Sequence, residues 1–341
     1  MPEQKTSHKA AVSAQAQGAL QLQIAFIGIS NGLFAGLGAT PQTAPALAQA
    51  TGNDGGYVTR WLDAAYAFDL VDCDGDRFSL TPLGRAFLPD STDSLMPFAV
   101  QSVLTAHMST RASEFMRTGE RPGESVLAER PPLLPWFGPM LEQQFLGLFE
   151  REILPRIDAF KEANAAQGLV IDLGCGNGWY LRAVARHFAN LHGLGIDGFQ
   201  ENIRQAEKKA AQDGVSDRLQ FSVADIYTFT TGRPAHAITM TRALHHVWDE
   251  RERVFEILRA HLTVGGAAVL WEPNWPAQRQ ALRDPMRRVM AFQNLTEHVQ
   301  GNHFLRAEEI AAAARAAGLT PSIHLFAADK EAVIVARKEA S

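Results

Sequence analysis

The chain has little cysteine, little positive charge and no long unbroken apolar run. Only two cysteines occur in 341 residues, Cys73 and Cys175, too few for a disulfide-held secreted scaffold. Cys175 also stands between two glycines, where a cross-link would wreck the turn. Both facts lead us to expect a reducing, cytoplasmic setting. The most apolar early stretch, residues 22–37, is interrupted by Gln23, Ser30 and Asn31 and falls short of a bilayer span. It lacks the basic flank and cleavage pattern of a signal peptide, so no membrane partner is expected. Lys and Arg total 32 against 37 Asp and Glu, a formal net charge of −5. That balance argues against broad nucleic-acid binding. Residues 1–18 are rich in Gln, Ala, Ser and Lys without an apolar period and read as a mobile tail.

Glycine, by contrast, is concentrated where it matters. Val170 to Tyr180 reads VIDLGCGNGWY: an apolar strand with an acidic residue near its end, then Gly174, Gly176 and Gly178 at alternate positions. Such glycines let the chain turn sharply from strand to helix and let a ligand lie against bare backbone. A dinucleotide fingerprint would place its third glycine at position 179, where this chain has Trp179. Asp172 precedes the loop, and a carboxylate there repels phosphate but suits an ammonium. S-adenosyl-L-methionine carries an ammonium and no phosphate, and is the expected cofactor. Two further acidic positions follow at strand ends. Asp197 closes GLGIDGF about 20 residues on, where an acidic side chain grips ribose hydroxyls. Asp225 closes FSVADIYTF, placed to accept from an adenine amino group.

With these sites the chain resembles the class I S-adenosylmethionine-dependent methyltransferases, strongly over about half its length. The resemblance implies that Asp172 and the three glycines hold the methionine end, that Asp197 and Phe199 flank the ribose, and that Asp225 and Ile226 meet the adenine. The strand–helix alternation after residue 167 predicts an α/β fold with a parallel sheet and helices on both faces. Apolar segments at 322–326 and 332–336 around a turn at Ala328-Asp329-Lys330 add a terminal antiparallel hairpin. The expectation is a Rossmann-like, seven-stranded methyltransferase sheet, which a dehydrogenase-type unit would not show.

Residues 19–90 form a smaller unit. A helix over 20–37 leads to Thr40 as cap of a second helix, and Asp54 opens a third with Val58, Trp61, Leu62, Ala65 and Phe68 at helical spacing. A turn at Asp74-Gly75, a strand over 77–80 and a helix from Thr81-Pro82 complete what looks like a winged helix. Between Pro41 and Asp90 the basic residues are Arg60, Arg77 and Arg85 against seven aspartates. A DNA-reading helix needs cations for phosphates, so nucleic acid is not the expected partner. The unit instead resembles the amino-terminal winged-helix domain of small-molecule O- and N-methyltransferases of secondary metabolism, which implies a homodimer. Residues 91–166 read as a helical connector lining a pocket, with Met140, Phe145, Leu148 and Phe149 mostly core and Trp136, Phe137, Gln143 and Gln144 as weaker pocket candidates. Residues 167–341 form the cofactor domain.

For the chemistry, LHHVWDE (residues 244–250) resembles the histidine-containing segment of winged-helix O-methyltransferases, with His245 matching their general base. Histidine exchanges a proton near neutral pH. The departure is His246, where that family commonly has Asp. Histidine at this place also serves simply to close the pocket, so base and packing both stand. No metal is expected, because neighbouring histidines on one turn should diverge. Glu272 and Asn274 sit at the rim of the switch point, placed to contact substrate, and a structural role explains Glu272 equally. Tyr180 and Trp179 flank the methionine end, where an aromatic face offers cation–π stabilisation of a sulfonium and where core packing explains them equally. Three functions follow. The first is methyl transfer to a small-molecule acceptor. The second is a cyclase resembling the azetidine-2-carboxylate synthases, consuming the cofactor and releasing methylthioadenosine, with Tyr180 as its mark. The third is a ligand-sensing DNA-binding regulator.

Overall fold

Local capping chemistry sets the start of three helices in the first half of the chain. In the computed structural model, which describes residues 2–91, 93–130 and 132–340, Thr43 caps the helix Ala44–Thr51 and Asp54 caps Gly55–Ala67. Thr81 caps Pro82–Ala86, its hydroxyl accepting from Gly84 N–H at 3.0 Å. The expected cap at Thr40 is displaced to Thr43, because Gln42–Thr43 (β1) is extended and Pro45 then fits the first helical turn. Val71–Asp74 (β2) and Arg77–Leu80 (β3) form a hairpin, and the small sheet has the order β1-β3-β2.

The chain divides into two compact units, Met1–Thr110 with Pro132–Gln143, and Arg111–Pro131 with Gln144–Ser341. The residues read as a connector are thus shared between them. In the first unit Phe34 meets Trp61 edge-on at 5.5 Å, within a core that includes Leu33, Leu37, Leu47 and Leu62. Trp136 and Phe137 pack on this core, and Gln143 donates to the Pro89 carbonyl. The tail expected over residues 1–18 is instead part of one helix, Pro2–Ser30. Its Ala, Gln and Lys are good helix formers, and the packed turns around Ala25, Phe26 and Ile29 supply the nucleus that they extend. No helix of the described residues is long and apolar enough to cross a membrane.

The second unit is built on seven strands: Leu169–Leu173 (β4), His192–Asp197 (β5), Leu219–Val223 (β6), Ala235–Thr241 (β7), Leu262–Pro273 (β8), Thr320–Phe326 (β9) and Glu331–Arg337 (β10). Their order is β6-β5-β4-β7-β8-β10-β9. The first five are parallel, and β10 pairs antiparallel with both β8 and β9. This is the expected Rossmann-like sheet with its terminal hairpin, whose turn holds Ala327, Ala328 and Asp329 at positive φ. Chain order reverses at β4, so the carboxyl ends of β4, β5 and β7 open on one crevice. Ile171, Ile196, Ile238, Leu270 and Ile334 pack into the core on one side of that sheet.

Candidate functional site

Asp172 lies in the middle of the sheet, with Gly195 of β5 and Thr239 of β7 as its register partners. It is only 1% exposed. Thr239 Oγ1 donates to its Oδ1 at 2.6 Å. Burial raises its pKa from 3.8 to about 7, the Thr239 hydrogen bond opposes the rise, and the neighbouring Asp197 charge adds to it. No cation is among these influences. A buried carboxylate so placed is costly unless a positive group meets it, and the ammonium of an amino-acid moiety supplies one.

The loop after β4 divides labour among its glycines. All three have positive φ: 74° at Gly174, 53° at Gly176 and 71° at Gly178. A Cβ on Gly178 would come within 2.7 Å of the Phe221 ring, whereas one on Gly176 would meet nothing within 4 Å. Gly178 therefore serves packing, and Gly176 borders open space against bare backbone. Asp197 ties this loop down. Its Oδ2 accepts from Gly176 N–H at 2.8 Å, and its Oδ1 accepts from Phe199 N–H at 2.9 Å and from Asn202 Nδ2 at 3.0 Å. Phe199 is 56% exposed beside it. Asp225 lies two residues past the end of β6, is exposed, and accepts from Tyr227 N–H at 2.8 Å. Ile226 is half-buried against the core. Asp172, the loop and Asp197 are thus joined directly, while Asp225 and Ile226 sit on the neighbouring strand end. The uncompensated carboxylate and the open face of Gly176 fit an adenosylated amino acid without phosphates.

Tyr180 and Trp179 begin the helix Trp179–His187. Tyr180 is 1% exposed, its ring 4.3 Å from that of Phe149 and 6.3 Å from that of Trp271, and Phe160 closes another side. Its hydroxyl is buried beside that of Thr241. Burial pushes the phenol well above its usual pKa; Asp172 adds to this, and the nearby Thr241 hydroxyl opposes it. Trp179 joins the same aromatic cluster, which also takes in Phe145 through Trp271. Arg242, at positive φ after β7, lays its guanidinium 4.1 Å over Phe145 and bonds Glu331 Oε2 at 2.7 Å, an oxygen that Trp271 Nε1 also reaches at 2.8 Å.

The histidine segment forms a 3₁₀ turn, Leu244–Glu250. His245 is buried, and its Nδ1 lies 2.6 Å from Glu272 Oε2; the other Glu272 oxygen accepts from Leu244 N–H at 2.7 Å. A carboxylate only accepts, so a proton sits on His245 Nδ1 and the ring is held by that bond. Burial raises the Glu272 pKa, but His245, Arg242 and His246 outweigh it and hold the group below the usual range. Glu272, expected either to contact substrate at the rim or to be structural, is the partner that holds the His245 ring. The expected divergence of the two histidines does not occur. Their ring centroids lie 4.1 Å apart, with the planes tilted by 36°. His246 Nδ1 lies 3.0 Å from Glu124 Oε1 and 2.8 Å from the Asn302 amide.

Glu124, Glu297 and Asn302 had no signal in the sequence. They come from two separate segments, one around Glu124 and one spanning Glu297 to Asn302, brought together at the histidines by folding. Glu297 closes the helix Pro285–Glu297, with its Oε2 3.9 Å from His245 Nε2. Asn274 is structural, its side chain bonding Ala307 N–H and the Asp329 carbonyl. His298 and His303 are exposed. A cavity of about 1110 Å³ borders β5 and β6 beside Phe229 and Arg233; neither the glycine loop nor the histidines line it, so volume alone does not locate the site.

Residues 170–266 match the family model described as a methyltransferase domain. Over 296 residues the chain is 24% identical to the N,N-dimethyltransferase OxyT of Streptomyces rimosus, covering 81% of this chain and 83% of that one. It is 25% identical over 260 residues to the 2-ketoarginine methyltransferase of Streptomyces arginensis, covering 74% and 71%. Among solved structures, human N-acetylserotonin methyltransferase in complex with SAM aligns with a TM-score of 0.72 at 17% identity, covering 98% of each chain. An O-methyltransferase family protein from Burkholderia thailandensis aligns at 0.71, with 18% identity and 98% of each chain covered.

Proposed function

We propose that this chain, which carries a class I S-adenosylmethionine-dependent methyltransferase domain, transfers the methyl group of that cofactor to a small-molecule acceptor. The observation that carries the reading is Asp172, a buried carboxylate without a counter-charge beneath an open glycine loop. Asp172 would neutralise the ammonium, and the backbone at Gly174 and Gly176 would take the methionine end. Asp197 holds the loop and offers its remaining lone pairs to the ribose, with Phe199 alongside. Asp225 and Ile226 would bound the adenine. The cofactor supplies an activated methyl group on sulfur. What the protein adds is alignment, exclusion of water and, for a protic acceptor, removal of a proton. His245 is the candidate base, its ring held by Glu272. Tyr180, sealed among aromatic rings, acts in this reading as a wall.

The first unit, with its helix pair and hairpin, fits a winged-helix dimerisation domain. Supporting a homodimer is an apolar groove of about 370 Å³ lined by Ile24, Ile27, Leu33, Tyr57 and Trp61. Tyr57 is 81% exposed on that surface. A soluble cytoplasmic enzyme of secondary metabolism accords with this.

The test is incubation with S-adenosylmethionine alone, followed by mass spectrometry of the nucleosides. Cofactor that is bound yet unchanged is the expected result, and S-adenosylhomocysteine should appear only once an acceptor is added. Release of methylthioadenosine above a no-enzyme control would overturn methyl transfer in favour of cyclisation.

A further inference from the structure

The two adjacent histidines and Glu297 form a group that neither the cofactor site nor the sheet requires. One ligand atom from each of His245, His246 and Glu297 lies within 4.8 Å of the others. Ligands on a single ion with bonds of about 2.0–2.2 Å stand roughly 3–3.6 Å apart, so a small inward shift of side chains brings all three onto one centre. The His245 Nε2 to Glu297 Oε2 separation is already 3.9 Å.

The surroundings are those of a metal site as well. His245 gives its Nδ1–H to Glu272, which is itself buried and pinned by Leu244 N–H. Metal-ligating histidines give their other ring N–H to a carboxylate in the same way. His246 has a second carboxylate, Glu124, on its Nδ1 at 3.0 Å. Glu297 Oε2 accepts from Gln300 Nε2 at 3.1 Å and from Asn302 Nδ2 at 3.5 Å, which fixes the carboxylate's direction. Each of the three ligands therefore has an outer partner. Among the described residues no other such group of His, Cys, Asp and Glu occurs.

We propose that His245, His246 and Glu297 bind one divalent transition-metal ion of the zinc class, with Glu272, Glu124 and Gln300 as orienting partners. Two imidazoles and one carboxylate suit Zn²⁺, Co²⁺ or Ni²⁺ and not Mg²⁺ or Ca²⁺, which want oxygen donors throughout. Three protein ligands leave at least one position open for water or an oxygen donor of the acceptor. An ion there occupies the lone pair that a free His245 base would use. Metal-bound and basic His245 are thus exclusive states, and the site stands whether or not His245 is the base.

The experiment uses the untagged full chain, stripped with a chelator and titrated with Zn²⁺ against a chromophoric competitor, then with Co²⁺ by visible spectroscopy. One equivalent of Zn²⁺ at micromolar affinity or tighter is expected, with a Co²⁺ ligand-field band typical of four or five ligands. His246→Ala and Glu297→Gln should each weaken binding at least tenfold while circular dichroism and S-adenosylhomocysteine affinity stay unchanged. Glu297→Gln keeps the side-chain shape and guards against a folding defect in the histidine variant. Absence of stoichiometric binding in the parent protein overturns the proposal, as does binding that survives both substitutions. Intact S-adenosylhomocysteine affinity in those samples separates that failure from failure of the methyltransferase reading.

Discussion

At Asp172 one carboxylate couples charge, stability and binding. Its folded-state pKa, about 7, lies above the unfolded value of 3.8, so the folded protein holds the extra proton between those limits. Stability attributable to this group is therefore greatest below about pH 4 and falls as pH rises towards 7, by a few kcal/mol at most. A bound ammonium reverses the preference and expels the proton. Binding of S-adenosylhomocysteine at pH 6 should release close to one proton, read as a calorimetric enthalpy that varies with the buffer's ionisation heat, and Asp172→Asn should abolish that variation. A buffer-independent enthalpy in the parent protein would remove Asp172 from the cofactor site. The other acidic and histidine positions separate binding from chemistry. Asp197→Ala loses both the proposed ribose acceptor and the 2.8 Å tie to Gly176, so cofactor affinity should fall by at least a hundredfold. His245→Ala should leave that affinity intact and slow turnover. Normal binding in the first variant would misplace the ribose, and unchanged turnover in the second would remove the base.

The glycine loop shows how an element can serve packing and binding within five residues. Gly178→Ala would put a methyl group 2.7 Å from the Phe221 ring at a φ of 71°. The left-handed conformation costs about 1–2 kcal/mol and overpacking about 1–3 more, so its melting temperature should drop by several degrees. Gly176→Ala faces open space; it should cost only the conformational term in stability yet weaken cofactor binding at least tenfold. Equal stability losses in the two variants would refute this division. Such elements were legible because strand, acidic residue and glycine spacing are local patterns. β4 and β5, the closing hairpin and the helix caps at Asp54 and Thr81 all lie where composition places them. Asp225 was placed at a strand end, but β6 stops at Val223. Glu124 and Glu297 were illegible for a different reason. Each lies at a helix end with no neighbouring motif, and only the fold carries them to the histidines. The close approach of the His245 and His246 rings is a matter of side-chain direction, which spacing does not encode.

At the scale of the whole chain the feature least expected from sequence is the helix Pro2–Ser30. Residues 7–20 are exposed all round it, and a polar helix without burial is marginal in water unless something else covers it or its far end nucleates it. The far end is secured, by Trp61 Nε1 on the Ile24 carbonyl at 3.0 Å and Gln21 on that of Phe68 at 2.8 Å. The exposed turns nonetheless carry Val12 at 62% and Leu20 at 50% exposure, and Ile27 at 48% continues towards the apolar groove. Burying such side chains at about 25 cal/mol per Å² favours a second copy of the chain as the cover for helix and groove together. Light scattering should then give twice the chain mass for the full protein. Removal of residues 1–18 should weaken self-association, and Ile27→Glu with Tyr57→Glu should abolish it while leaving circular dichroism unchanged. A full chain that stays monomeric at high micromolar concentration would leave the first unit without its proposed partner. The scarcity of Lys and Arg around this unit argues that such a surface would then still not be waiting for DNA.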